Sequence, residues 1–177
     1  MFCLTFLLIK HLFNNKIKHP TMTILEICLL QWDTYNRRMQ KVMDSIAEEN
    51  FNKPTVPGGN SPSWLLGHLA DSDDKLLELF GIGNRLHPEL MKIYHHEPGT
   101  NQNNHLSKME LTTKWKEIVG ELDQAFKAMS ESEWLARHTT VTEEDFKNEP
   151  HRNKLNVLLS RITHKASHLG QIAMQTK

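Results

Sequence analysis

From Leu25 to Ile46, the residues Leu25, Cys28, Trp32, Tyr35, Met39, Val42 and Ile46 recur at alternating intervals of three and four. An α-helix brings such positions onto one face, and a sustained seven-residue period is the seam of a bundle helix. Three further segments carry a helical period. Ser61-Pro62 supplies an N-cap followed by proline at the first helical position. Leu65, Leu69, Leu76 and Phe80 then share one face, until Gly81 and Gly83 end the segment. Ser107-Lys108-Met109-Glu110 is a capping box, and Leu111, Trp115, Ile118, Leu122, Ala125 and Met129 continue from it. The fourth segment runs from about Asn153 to Gln175, with Leu155, Leu158, Leu159, Ile162, Ala166 and Leu169 on its main face. No βαβ pattern, glycine-rich phosphate loop or internal repeat is present. The pattern predicts an all-α chain built as a four-helix bundle.

Connection lengths add topology. Asn50 and the run Pro54-Thr55-Val56-Pro57-Gly58-Gly59 stop the first helix, and the short Asn50–Asn60 link predicts that helices one and two are antiparallel neighbours. The polar link from Gly81 to Leu106 holds His87, His95, His96 and His105. Extended, it is long enough to run the ~28 Å length of a helix such as the second, so helices two and three can be parallel. A further loop lies between Ser130 and Arg152, with a short helical turn at Ser130–Leu135.

Composition excludes several classes. With 21 basic and 21 acidic side chains among 177 residues, the chain has no net charge, which argues against a general nucleic-acid binder. Cys3 and Cys28 are too few for a disulfide scaffold or a cysteine-rich zinc module. Residues 1–22 carry Lys10, Lys16 and Lys18 and no acidic residue. The apolar run Phe2–Ile9 is too short to span a bilayer, and the lysines follow it rather than precede it as in a signal peptide. This stretch reads as a disordered leader or a mispredicted start, with Met22 the natural one; a peripheral or truncated membrane segment is the alternative. Residues 23–177 then form the folded domain, and a cytoplasmic protein with reduced thiols is expected.

Eleven histidines are more than composition explains. His164 and His168, at i and i+4, sit one above the other on a helix, so both imidazoles can reach one ion. His68 follows Trp64-Leu65-Leu66-Gly67 near the start of helix two. All three lie at the edges of apolar faces rather than at their centres. Either they are partly exposed side chains that snorkel to water, or the two edges face each other and the rings converge. Three protein ligands with an open position would be the catalytic arrangement. Gly67 and Gly170 are placed to let helices approach closely. Gln171 is placed to orient a ligand or to pack, and Trp64 to fill core or wall a pocket. Helical angle turns Asp71 away from the core, so it is not expected as a fourth ligand. The pair His95-His96 reads as a solvated loop, and His87, His105, His138 and His151 have no partner at ligand spacing.

Trp-x-x-Gly-His early in helix two, together with His-x-x-x-His-x-Gly-Gln in the last helix, resembles the DinB-like superfamily over about Thr23 to Lys177. The resemblance implies a bundle of up-down-down-up course. It also implies a divalent ion, zinc, nickel or iron, on His68, His164 and His168. Some members of that family use low-molecular-weight thiols such as bacillithiol or mycothiol, as S-transferases or isomerases. The expectation is a metal-dependent enzyme acting on a small molecule, by thiol-dependent transfer or by hydrolysis, with no catalytic residue assigned beyond the ligands. The alternative is a non-enzymatic metal-binding or structural bundle linked to stress. A homodimer is expected in either case, without nucleic-acid or membrane partners.

Overall fold

The computed structural model describes residues 21–95 and 105–176, and these are all-helical apart from one isolated bridge between Arg137 and Asn153. Helix α1, Ile24–Ser45, starts at a capping box: the Thr23 hydroxyl accepts from the Glu26 amide while the Glu26 carboxylate accepts from the Thr23 amide. It buries Cys28, Trp32, Asn36, Met39 and Met43. A single turn, α2 (Glu48–Phe51), follows and buries Phe51. Helix α3, Pro62–Phe80, is capped by the Ser61 hydroxyl and ends at Gly81, whose φ of 67° is the left-handed conformation that glycine adopts without strain.

The crossover carries a short helix, α4 (Glu89–Tyr94). Helix α5, Lys108–Ala128, begins at the capping box of Ser107 and Glu110. Two short helices, α6 (Glu131–Leu135) and α7 (Glu143–Asn148), occupy the next connection. Helix α8, Lys154–Ile172, runs on into a 3₁₀ turn at Ala173–Thr176.

The four long helices thus stand where the periodicity predicts them. Their neighbours differ from the expectation: α1 lies closest to α8, and α3 closest to α5, α4 and α8. The link after α1 is anchored by Phe51, which is fully buried. Helix α3 is buried almost all round, including Asp71, Ser72, Asp73 and Asp74. Phe80, Phe126 and Trp134 meet edge to face or tilted at 5.0 to 5.7 Å and close one end of the core.

On α8 the core stripe is Leu158, Ile162, Lys165 and Ile172, while Leu159, expected on the apolar face, is exposed. The crossover is not a plain polar loop either. Asp74 accepts the backbone amides of Leu86 and His87 at 2.8 and 2.9 Å, which ties its first part to α3. No helix among the described residues is long and apolar enough to cross a membrane. The leader's first 20 residues, and His96, lie outside the described residues.

Candidate metal centre

Helices α3 and α8 bring His68, His164 and His168 together. The Nε2 atoms of His68 and His164 are 3.2 Å apart, and those of His168 and His164 are 2.9 Å apart. The rings stand nearly perpendicular, at 87° for His68 and His164 and 89° for His68 and His168. Each Nε2 has a single in-plane site, a proton or a lone pair, so His164 cannot hydrogen-bond both neighbours at once. A cation satisfies all three. With metal–nitrogen bonds of 2.0–2.1 Å in tetrahedral geometry, ligand nitrogens lie about 3.3 Å apart, close to the two separations from His164, and all three lie within 4.8 Å of one another.

The outer nitrogens are held so that Nε2 points inward. His68 Nδ1–H donates to the Tyr94 carbonyl at 3.2 Å, and His168 Nδ1–H to Gln171 Oε1 at 3.3 Å. A protonated Nδ1 leaves the Nε2 lone pair available, which is how outer partners fix a metal-binding tautomer. Gln171 therefore orients the His168 ring. His164 Nδ1 is buried without a partner among the described residues.

Trp64 stacks on His68 with ring centroids 4.9 Å apart and planes 6° from parallel. Tyr94 can sit where it does because Gly67 has no side chain: a Cβ there would lie 2.4 Å from the Tyr94 ring. Gly170 has open space around it and permits no close approach, contrary to expectation.

All three rings are biased to the neutral form. Burial, with His168 and His68 next to it, pushes His164 down to about 4. Burial likewise holds His68 and His168 below the ordinary imidazole range, although the Tyr94 carbonyl and the Gln171 side chain pull the other way.

Asp71 stands outside the three-histidine group, and it is buried at 1% exposure rather than turned outward. Its Oδ1 pairs with Arg85 at 2.5 Å and its Oδ2 accepts from His95 Nδ1–H at 2.8 Å. His95 is thus no solvated loop residue: it lines, with His68 and His164, an open cleft of about 630 Å³. Sequence patterning missed this because the partners of Asp71 are 14 and 24 residues away. His87 bonds Glu117 at 2.8 Å, and His138 the Thr140 hydroxyl, both away from the centre.

The all-α bundle brings three imidazoles together across two of its helices, in a group that could hold one metal ion beside the cleft. Residues 31–172 match the model of the DinB superfamily, and the chain belongs to that superfamily. The fold is similar to the crystal structure of a conserved protein from Enterococcus faecalis, with a TM-score of 0.68 and 16% identity over 88% of this chain and 96% of that one. No curated protein matches the sequence.

Proposed function

We propose that this protein is a divalent-metal-dependent enzyme acting on a small molecule, with a low-molecular-weight thiol as cosubstrate or with water in a hydrolysis. The observation that carries the proposal is the convergence of three Nε2 atoms at the wall of an open cleft, with two of the outer nitrogens hydrogen-bonded. His68, His164 and His168 would hold zinc, nickel or iron alike, since three imidazoles suit each of them. Such an ion supplies Lewis acidity, which lowers the pKa of a thiol or a water molecule and polarises a carbonyl oxygen.

The remaining work falls to the chain. Tyr94 and Gln171 keep two ligands in the binding tautomer, and Trp64 covers one face of His68. The cleft beside His164 admits the substrate. Metal analysis of the purified protein, followed by a thiol-conjugation assay on wild type and His164→Ala, tests the reading. Bound metal and turnover in the wild type are expected, with both lost in a folded His164→Ala. Metal present with no turnover across thiols and esters would remove the enzyme and leave the ion.

One observation favours a second reading, a non-catalytic dimeric bundle. Ile24, Ile27 and Leu30, at intervals of three on α1, are exposed, and so is Leu135 on α6. Exposed apolar side chains of this kind suit a second copy of the chain. Sedimentation analysis of wild type beside Ile27→Lys would reveal the dimer as a loss of mass.

A further inference from the structure

The cleft beside the histidines is polar and its charge is unbalanced. Its one acidic residue among the described residues is Asp71, and both of that carboxylate's oxygens are taken, by Arg85 and by His95. Lys75 and Arg161 line the same cleft, and neither has an ion-pair partner among the described residues. Arg161 Nε is also cut off from solvent with no acceptor. The guanidinium lines the cleft with no counter-charge among the described residues, and its Nε lacks an acceptor, so an anion bound there would supply both.

The positions of these cations along the helices are informative. Arg161 lies three residues before His164, so the two share a face one turn apart. Lys75 lies seven residues after His68, two turns along α3, or roughly 10 Å. Ser160 and Ser167 add hydroxyl donors on the same wall. The cleft therefore sets imidazoles beside two cations that have no ion-pair partner among the described residues.

We infer that the cleft binds a small molecule bearing a carboxylate or phosphate group, held by Lys75 and Arg161 so that the rest of the molecule points at the three histidines. This rests on the reading of the histidines as the reacting end and adds the chemical class of the substrate. Arg presents a planar fork that matches either oxyanion, and Lys adds a compact charge. Neutral molecules of similar size would leave both cations unpaired and would be rejected.

Calorimetric titration of the full chain, zinc-loaded and metal-free, with succinate, inorganic phosphate and the neutral succinamide tests the inference. Succinate or phosphate binds and succinamide does not; which anion binds tighter identifies the group. Lys75→Gln and Arg161→Gln each weaken anion binding about tenfold, the loss expected for one charged hydrogen bond, while zinc content stays at the parent level. Either variant suffices if the other fails to fold. Anion binding that needs Lys75 and Arg161 in a protein that takes no zinc would uphold the clamp and remove the metal reading alone. Binding as tight in the two variants as in the parent, or no anion binding by the folded parent in either state, would overturn the inference.

Discussion

Lys165 Nζ lies 2.8 Å from Oδ2 of Asp73, and both side chains are sealed inside the bundle. The same ammonium donates to Asn36 Oδ1 and sits 3.7 Å from the centre of the Trp32 ring. Trp32 in turn donates through Nε1 to Asp123 at 2.8 Å. One buried cation thus joins α1, α3 and α8 and is linked through Trp32 to α5. Lys165 lies between His164 and His168 in the chain, so the pair also fixes the rotation of α8 that aims those rings at His68.

Removing one partner leaves a charge buried alone, which costs about 3–5 kcal/mol. Lys165→Met and Asp73→Asn are each expected to destabilise by that amount in urea unfolding and to weaken metal retention. The double substitution Lys165→Met with Asp73→Leu removes both charges and is expected to cost less than either single change. A double variant no more stable than the singles would mean that the pair is not what holds the helices.

The two glycines near the ligands make a contrast. A Cβ at residue 67 would press into the Tyr94 ring, and Tyr94 supplies the carbonyl that orients His68. Gly67→Ala is expected to destabilise by about 1–3 kcal/mol, the usual cost of overpacking, and to lower metal affinity. Gly170 is exposed within α8 and meets nothing, so Gly170→Ala is expected to stabilise by up to about 1 kcal/mol with the metal site intact. Thermal unfolding and metal titration of the two variants side by side would check both signs.

What could be read in the sequence was the apolar period and the caps. Leu111, Trp115, Ile118 and Leu122 are buried as their spacing predicts, and Ser61 and Ser107 cap the helices they precede. Two of the three converging histidines were legible because residues four apart share a helix face whatever the tertiary structure, and His68 was joined to them by the family resemblance of its motif. What escaped was the buried charge. Helical angle turns Asp71 away from the core, yet Asp71, Asp73, Asp74 and Lys165 are all buried against partners 12 or more residues away. A compensated charge behaves as core, and compensation is a property of the fold rather than of a local window. The same holds for His95, placed at the cleft by its bond to Asp71.

The oriented tautomers make a graded set of expectations for metal retention. His68→Ala, His164→Ala and His168→Ala each remove one of three convergent donors and are expected to abolish binding in a chelator competition. Gln171→Leu keeps all three donors but frees the His168 ring, and loss of such an outer partner typically costs 10–100-fold in affinity. Equal affinity in Gln171→Leu and wild type would place Gln171 in packing alone.

Acid should act on the metal-free fold through these same rings. In an unfolded chain histidine titrates near 6.5, whereas His164 in the bundle is pushed down to about 4 and His68 and His168 are lowered too, burial being the largest cause for each. As pH falls through 6.5, the unfolded chain takes up protons that the native rings refuse. The contribution to stability is therefore complete above 6.5 and is lost progressively from there down to about 4. The metal-free Tm is expected to decline across that window, and His164→Ala to show a shallower decline. Because the native rings stay neutral below 6.5, metal retention should also extend to lower pH than free imidazoles would allow. A metal-free Tm that is level from pH 7 to 4, or an equally steep slope in His164→Ala, would show that these rings are not shielded as the geometry implies.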